Sequence, residues 1–349
     1  MTSLYVDRRG VHLKADGEAL VFYENDSRCG TVPLAPLSRV FLRGDVTLNA
    51  SLLGKLGERG IGVVVLSGRK GIPTLLMGQP HNDAARRVAQ YRLSLDADYC
   101  LRFARAIVEA KIAAQHALLE ELREDNPMVR YMLGVSLRRL ENCRTQVDAQ
   151  ANIASLRGLE GAAAAAYFEG YKELFAERLN FTARNRRPPR DPVNAVLSLT
   201  YTLLHAEAVL VLHGAGLDPF IGFYHALDFG RESLACDVVE TLRPAADRFV
   251  LGLFRREALR VEDFSTTDGA CMMGKAGRAR FYAEWESAAE GLRRGLDEAV
   301  TDVTEAVGSM GPKAVEERSK FTEFSSVGAD DTPSFDDESS APTDNGESF

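Results

Sequence analysis

The chain has 349 residues, 45% of them hydrophobic, which is enough for one large domain or two ordinary ones with a sizeable core. Its net charge of −8 excludes a uniformly basic protein, but residues 321–349 hold eight acids and no Lys or Arg. The first 320 residues balance 42 basic against 42 acidic side chains, so a local basic face is not excluded. The five cysteines form no Cys-x-x-Cys pair, so no thiolate zinc site is expected, and free thiols in a reducing compartment are the plain reading. No secretory signal pattern and no run of eighteen apolar residues is found, so no membrane span and a cytoplasmic location are expected.

Residues 1–78 read as β-rich. Leu4-Tyr5-Val6 and Val11-His12-Leu13 flank the turn signal Asp7-Arg8-Arg9-Gly10, and Asp16-Gly17 precedes Ala19–Tyr23. That pattern predicts a meander of short antiparallel strands, with further strands at Val40–Leu42 and Ile61–Leu66 and one short helix over Asn49–Leu56. Residues 79–82 break the pattern as a linker. From 83 to 307 apolar residues recur at helical spacing, as in Phe103, Ile107, Ala110 and Ala114. Asp191-Pro192 is a helix start, and that helix is expected to stop near His213–Gly216. Residues 308–349, poor in large apolar side chains, are expected to form an acidic, disordered tail. The fold class expected is therefore α+β: a small N-terminal antiparallel β-domain followed by a larger all-α domain.

Chemistry concentrates in Gly222–Glu240. Ser233 is expected to cap a helix that carries Asp237 and Glu240 three apart on one face, with His225 in the loop before it. Two carboxylates and an imidazole suit Mg²⁺ or Mn²⁺. A further ligand has to come from elsewhere, and Glu160, set among small residues in Leu156–Phe168, is the candidate. Singly, a helical Glu or an acid pair is ordinarily a solvated surface feature; the combination is what distinguishes these. Arg184, Arg186, Arg187 and Arg190 form the densest basic cluster, suited to phosphate contacts, and Arg248 belongs to a second, weaker set. Asn194 is expected to face the metal, the phosphate or the core. Gly269–Ala276 mimics a phosphate-binding loop but has Ala276 where a hydroxyl is required, so nucleotide hydrolysis is not expected.

Leu156-Arg157-Gly158-Leu159-Glu160-Gly161 with Tyr167-Phe168, Arg184–Ala195, Gly216–His225 and Ser233–Pro244 occur in the order of four segments of a known family. Over about residues 3–290 the chain resembles the CRISPR-associated integrase family. The resemblance implies Glu160, His225 and Glu240 as catalytic metal ligands, with Asp237 beside them as a direct ligand or as a group that orients one. It also implies a dimerising N-terminal β-domain, an all-helical catalytic domain and a small bridging CRISPR-associated subunit joining two homodimers. The implied substrate is double-stranded DNA, both prespacer and CRISPR repeat. The implied reaction is transesterification, a 3′-hydroxyl attacking a repeat phosphodiester, as catalysed by a metal-dependent endonuclease/integrase. Tyr224 departs from the leucine that often precedes the family's histidine, and Glu240 stands where Asp or Glu occurs. The rival readings are a metal-dependent repair nuclease using the same ligands and a degenerate DNA-binding scaffold.

Overall fold

The computed structural model describes residues 2–66, 73–79, 81 and 83–309. The expected linker falls partly outside these residues, and the acidic tail falls outside them from residue 310 on. The β-rich part holds β1 (Thr2–Asp7), β2 (Val11–Asp16), β3 (Ala19–Glu24), β4 (Ser27–Pro33), β5 (Leu37–Arg43), β6 (Val46–Leu48), α1 (Ala50–Glu58), β7 (Gly62–Val65) and β8 (Thr74–Leu76). Asn49 starts α1 by accepting from Leu52 N at 3.0 Å.

The strands do not make one antiparallel meander. One sheet has the order β1-β5-β7-β8, with β1, β5 and β7 parallel and β8 antiparallel. The other has the order β4-β3-β2-β6, antiparallel except for the β2–β6 pair. The Asp7–Gly10 signal is a real turn, with Gly10 at φ +71°, but it carries the chain from one sheet to the other. A turn motif records that the chain reverses; the partner of β1 is chosen by burying Val6 against Val40 and Leu42.

Helices follow: α2 (Ala84–Ser94), α3 (Ala97–Glu124), α4 (Arg130–Arg144), α5 (Ile153–Lys172), α6 (Pro192–Gly214), α7 (Ser233–Val239), α8 (Arg243–Arg255) and α9 (Lys275–Ser309). They are interrupted by a hairpin of β9 (Phe264–Thr267) and β10 (Ala270–Met273), and β10 lies within the stretch that mimics a phosphate loop. Local starts are encoded by side chains: Asp83, Asp96, Asn152 and Asp191 each accept from a backbone N–H three residues on. α6 is long and apolar enough to cross a membrane. Its buried Val196, Leu197, Leu203, Leu204 and Leu212 instead lie in the core of the helical part.

The two parts are joined by packing and charge. Tyr5 of β1 stacks on Phe41 and on Tyr282 of α9, with centroids 4.8 and 4.7 Å apart. Glu207 of α6 is fully buried between Arg39 of β5 and Arg293 of α9, whose Nη2 is 3.0 Å away. Arg293 also reaches Glu286 at 3.0 Å and donates to Ser3 Oγ at 2.7 Å.

Candidate functional site

α3 presents a buried stripe of Cys100, Ala104, Val108, Ile112, Leu118 and Leu119 toward the other helices, interrupted by Lys111 and Gln115. α5, packed beside it, presents Glu160 between the buried Leu156 and Ala163. A Cβ added at Gly158 or Gly161 would meet nothing within 4 Å, so the small residues flanking Glu160 leave open space and do not seat another described helix.

α6 ends with Gly216 at φ +77°, and the chain then runs through Gly222–His225 into α7. Asp237, wholly buried in α7, organises this loop. Its Oδ2 accepts from Phe223 N at 2.7 Å and Tyr224 N at 3.0 Å; its Oδ1 accepts from His225 N at 2.9 Å and lies 2.7 Å from His225 Nδ1. A carboxylate accepts only, so His225 Nδ1 carries a proton, and in the neutral imidazole Nε2 then has the lone pair. Gly222 is required here: a Cβ would sit 2.6 Å from Asp237 Oδ2 and 2.7 Å from the Ser233 carbonyl carbon.

Two helix expectations are corrected. Ser233 does not cap α7; it is the first helical residue, and its hydroxyl donates to Ala226 O at 2.7 Å. Glu240 does not continue α7 but opens a 3₁₀ turn, Glu240–Leu242, leading into α8. The entry to α7 is held by His205 of α6, whose Nε2 is 2.6 Å from Glu232. Burial opposes its charge, but hydrogen bonds to Cys236 and Glu232 prevail and raise its pKa to about 9.

Glu160, His225 and Glu240 line one cavity of about 230 Å³ together with Lys111, Arg186 and Arg243. His225 Nε2 lies 3.8 Å from Glu240 Oε1. The Lys111 ammonium pairs with Glu160 Oε1 and, at 2.5 Å, with Glu240 Oε2, so the two carboxylates face each other across one ammonium. Arg243 Nη2 holds the other Glu240 oxygen at 2.9 Å. Burial alone would raise the Glu240 pKa, but Arg243 and Lys111 lower it to about 2, so the carboxylate is ionised. Tyr224 ties the histidine loop to α5: its hydroxyl lies 3.4 Å from Glu160 Oε2, and its carbonyl accepts from Arg157 Nη2 at 2.6 Å. Burial and Glu160 push the Tyr224 phenol pKa well up.

Among the described residues, no three His, Cys, Asp or Glu side chains converge on one ion position. The donor chemistry nonetheless suits a hard divalent cation, since two carboxylates face one ammonium and an imidazole nitrogen lies 3.8 Å from one of them. A second cavity, of about 240 Å³ and lined by Leu174, Phe175, Arg178, Phe254 and Glu257, has no such set; Glu257 there pairs with Arg178 at 2.8 Å.

The basic residues divide. Arg186 lines the cavity, and Arg186, Arg187 and Arg190 are exposed. Arg184 is folded beneath the loop, donating to Asn194 Oδ1 at 2.8 Å and lying 5.4 Å from the Tyr201 ring centroid. Arg248 points elsewhere, paired through both terminal nitrogens with Glu121. Of the alternatives expected for Asn194, the structure shows the core and not the metal or phosphate: it is wholly buried, donates to Ala183 O at 2.8 Å and Asp191 Oδ2 at 2.6 Å, and accepts from Asn185 N at 2.9 Å. Its role is to shape the arginine loop.

Sequence reasoning assigned no role to Lys111, Arg243, Arg157, Tyr201 or Asp247. Lys111 and Gln115 had a signal, being polar residues in an apolar helical stripe. Asp247, which accepts from Tyr167 Oη at 2.9 Å and from Tyr201 Oη, had none, because its partners come from α5 and α6.

The chain is an α+β protein whose helical part encloses a cavity lined by two glutamates and a histidine. A family model described as CRISPR associated protein Cas1 matches residues 4–287. CRISPR-associated endonuclease Cas1 1 of Thermodesulfovibrio yellowstonii is 40% identical over 289 residues, 82% of this chain and 91% of that protein. The fold is similar to that of a Cas1 protein from Thermotoga maritima, with a TM-score of 0.78 and 23% identity over 88% of this chain and 97% of that one. It is also similar to that of a casposase bound to integration product, with a TM-score of 0.76 and 20% identity over 94% of this chain and 100% of that one. The chain belongs to the Cas1 family.

Proposed function

We propose that this protein is a divalent-metal-dependent DNA integrase and endonuclease that inserts spacer DNA into a CRISPR array. A 3′-hydroxyl attacks a repeat phosphodiester, the new ester forms as the old one breaks, and the leaving 3′-oxygen takes a proton. The observation carrying this reading is the shared cavity of Glu160, His225 and Glu240, drawn from separate parts of the chain. Membership of a family whose 40%-identical relative is named an endonuclease supports the activity, and the fold it shares with a casposase bound to integration product agrees with strand transfer.

Glu160, His225 through Nε2, and Glu240 would hold Mg²⁺ or Mn²⁺, which supplies neutralisation of charge on a phosphate oxygen. Asp237 acts as the positioning group: it fixes the His225 tautomer and ring and does not present a free oxygen to the cavity. Arg243 keeps Glu240 ionised. Arg186, at the cavity wall, with Arg187 and Arg190, binds DNA phosphates. Residues 1–78 form the dimerisation domain and residues 83–307 the catalytic one. The assembly partners are a second copy and a small CRISPR-associated bridging subunit.

Glu160→Ala, His225→Ala and Glu240→Gln test the site. Each should bind duplex DNA near wild-type affinity and lose joining of a labelled prespacer to a repeat-containing plasmid. Wild-type joining by all three ends the assignment, and hydrolysis without joined product by the wild-type protein favours a nuclease.

A further inference from the structure

Glu160 and Glu240 sit on different elements and repel each other across the cavity. Between them lies the Lys111 ammonium, on a side chain only 8% exposed and paired with both. Its stem leaves α3 between the buried Val108 and Ile112, so the ammonium is delivered by a rigid, packed turn. Arg243 adds a second positive charge on Glu240. The cavity is therefore charge-compensated by the chain itself before any ion enters, and a divalent cation has to compete with an ammonium already in place.

We propose that Lys111 is an internal counterion that occupies the cation position between Glu160 and Glu240 and is displaced when a divalent ion binds, so that it sets the site's affinity for that ion. This rests on the metal site proposed above. It makes Lys111 a positioning residue that keeps two facing carboxylates ordered without metal, at the expense of weaker metal binding. A group that merely held the ligands in place would have the opposite sign: its removal would loosen metal binding.

Calorimetric Mn²⁺ titration of the full-length protein, without DNA, decides between them. Lys111→Met removes the competing charge and should tighten Mn²⁺ binding by on the order of tenfold to a hundredfold, because a unit charge a few ångströms away acts strongly in a half-buried site. Lys111→Arg keeps the charge and should bind Mn²⁺ no more tightly than wild type. In the metal-free protein, Lys111→Met should lower the Tm, and adding Glu160→Gln should recover part of the loss. Unchanged or weakened Mn²⁺ affinity in Lys111→Met beside normal wild-type binding overturns the displacement alone. Strictly additive Tm changes overturn the counterion contact. Absence of Mn²⁺ binding in both wild type and Lys111→Met overturns the displacement and the metal site together.

Discussion

Replacing Asp237 with Asn removes a charge and one acceptor from the most enclosed carboxylate near the cavity. Its two oxygens serve Phe223 N, Tyr224 N, His225 N and His225 Nδ1 at 2.7 to 3.0 Å. Asparagine offers one acceptor oxygen, and its NH₂ has to face N–H donors whichever way the amide turns. Two buried donors lose their acceptor, and at about 1–3 kcal/mol each the cost is roughly 2–6 kcal/mol. For a chain of this size that corresponds to a fall in Tm on the order of 10 °C. If the amide places its oxygen on Phe223 and Tyr224, the His225 proton moves to Nε2 and the lone pair facing Glu240 is lost. Metal affinity and joining should then fall about 10- to 100-fold, as for other groups that orient a ligand. Differential scanning calorimetry and a timed joining assay read the two effects. A Tm within about 2 °C of wild type with an unchanged joining rate would refute the claim that Asp237 holds the histidine loop.

Glu207→Ala strands Arg39 and Arg293 in the junction between the sheets and the helices, and urea unfolding should show a loss of about 3–5 kcal/mol. Asp247 has its pKa raised to about 6 by burial, so the folded state holds its proton more tightly than the unfolded chain does. Its contribution is therefore full below pH 4 and is lost as pH rises toward 6, by roughly 3 kcal/mol, and Asp247→Asn should flatten that decline in urea midpoints measured across the range. Arg186→Ala should weaken DNA binding and reduce the salt slope of the affinity by about one, whereas Arg248→Ala should leave both unchanged because Glu121 already pairs its guanidinium.

The sequence by itself determined what is local. Side-chain caps at Asn49, Asp83, Asn152 and Asp191 fix where helices begin, because a cap and its target N–H lie three residues apart. The α+β division follows from the change of hydrophobic period, and the order of the motifs around Glu160, His225 and Glu240 was enough to suggest the family. Tertiary structure decided what depends on distant partners. The Asp7–Gly10 turn looks like a hairpin until β1 is seen to pair with β5, a choice made by burial across some 35 residues. Asp237 and Glu240 lie three apart in the sequence, yet Asp237 is buried in α7 to fasten a loop and Glu240 lines the cavity from the 3₁₀ turn that follows. Lys111 shows in the sequence only as a polar break in an apolar stripe until α5 and the Glu240–Leu242 turn close around α3; its position between two glutamates exists only once the charges they carry are brought together and removed from water.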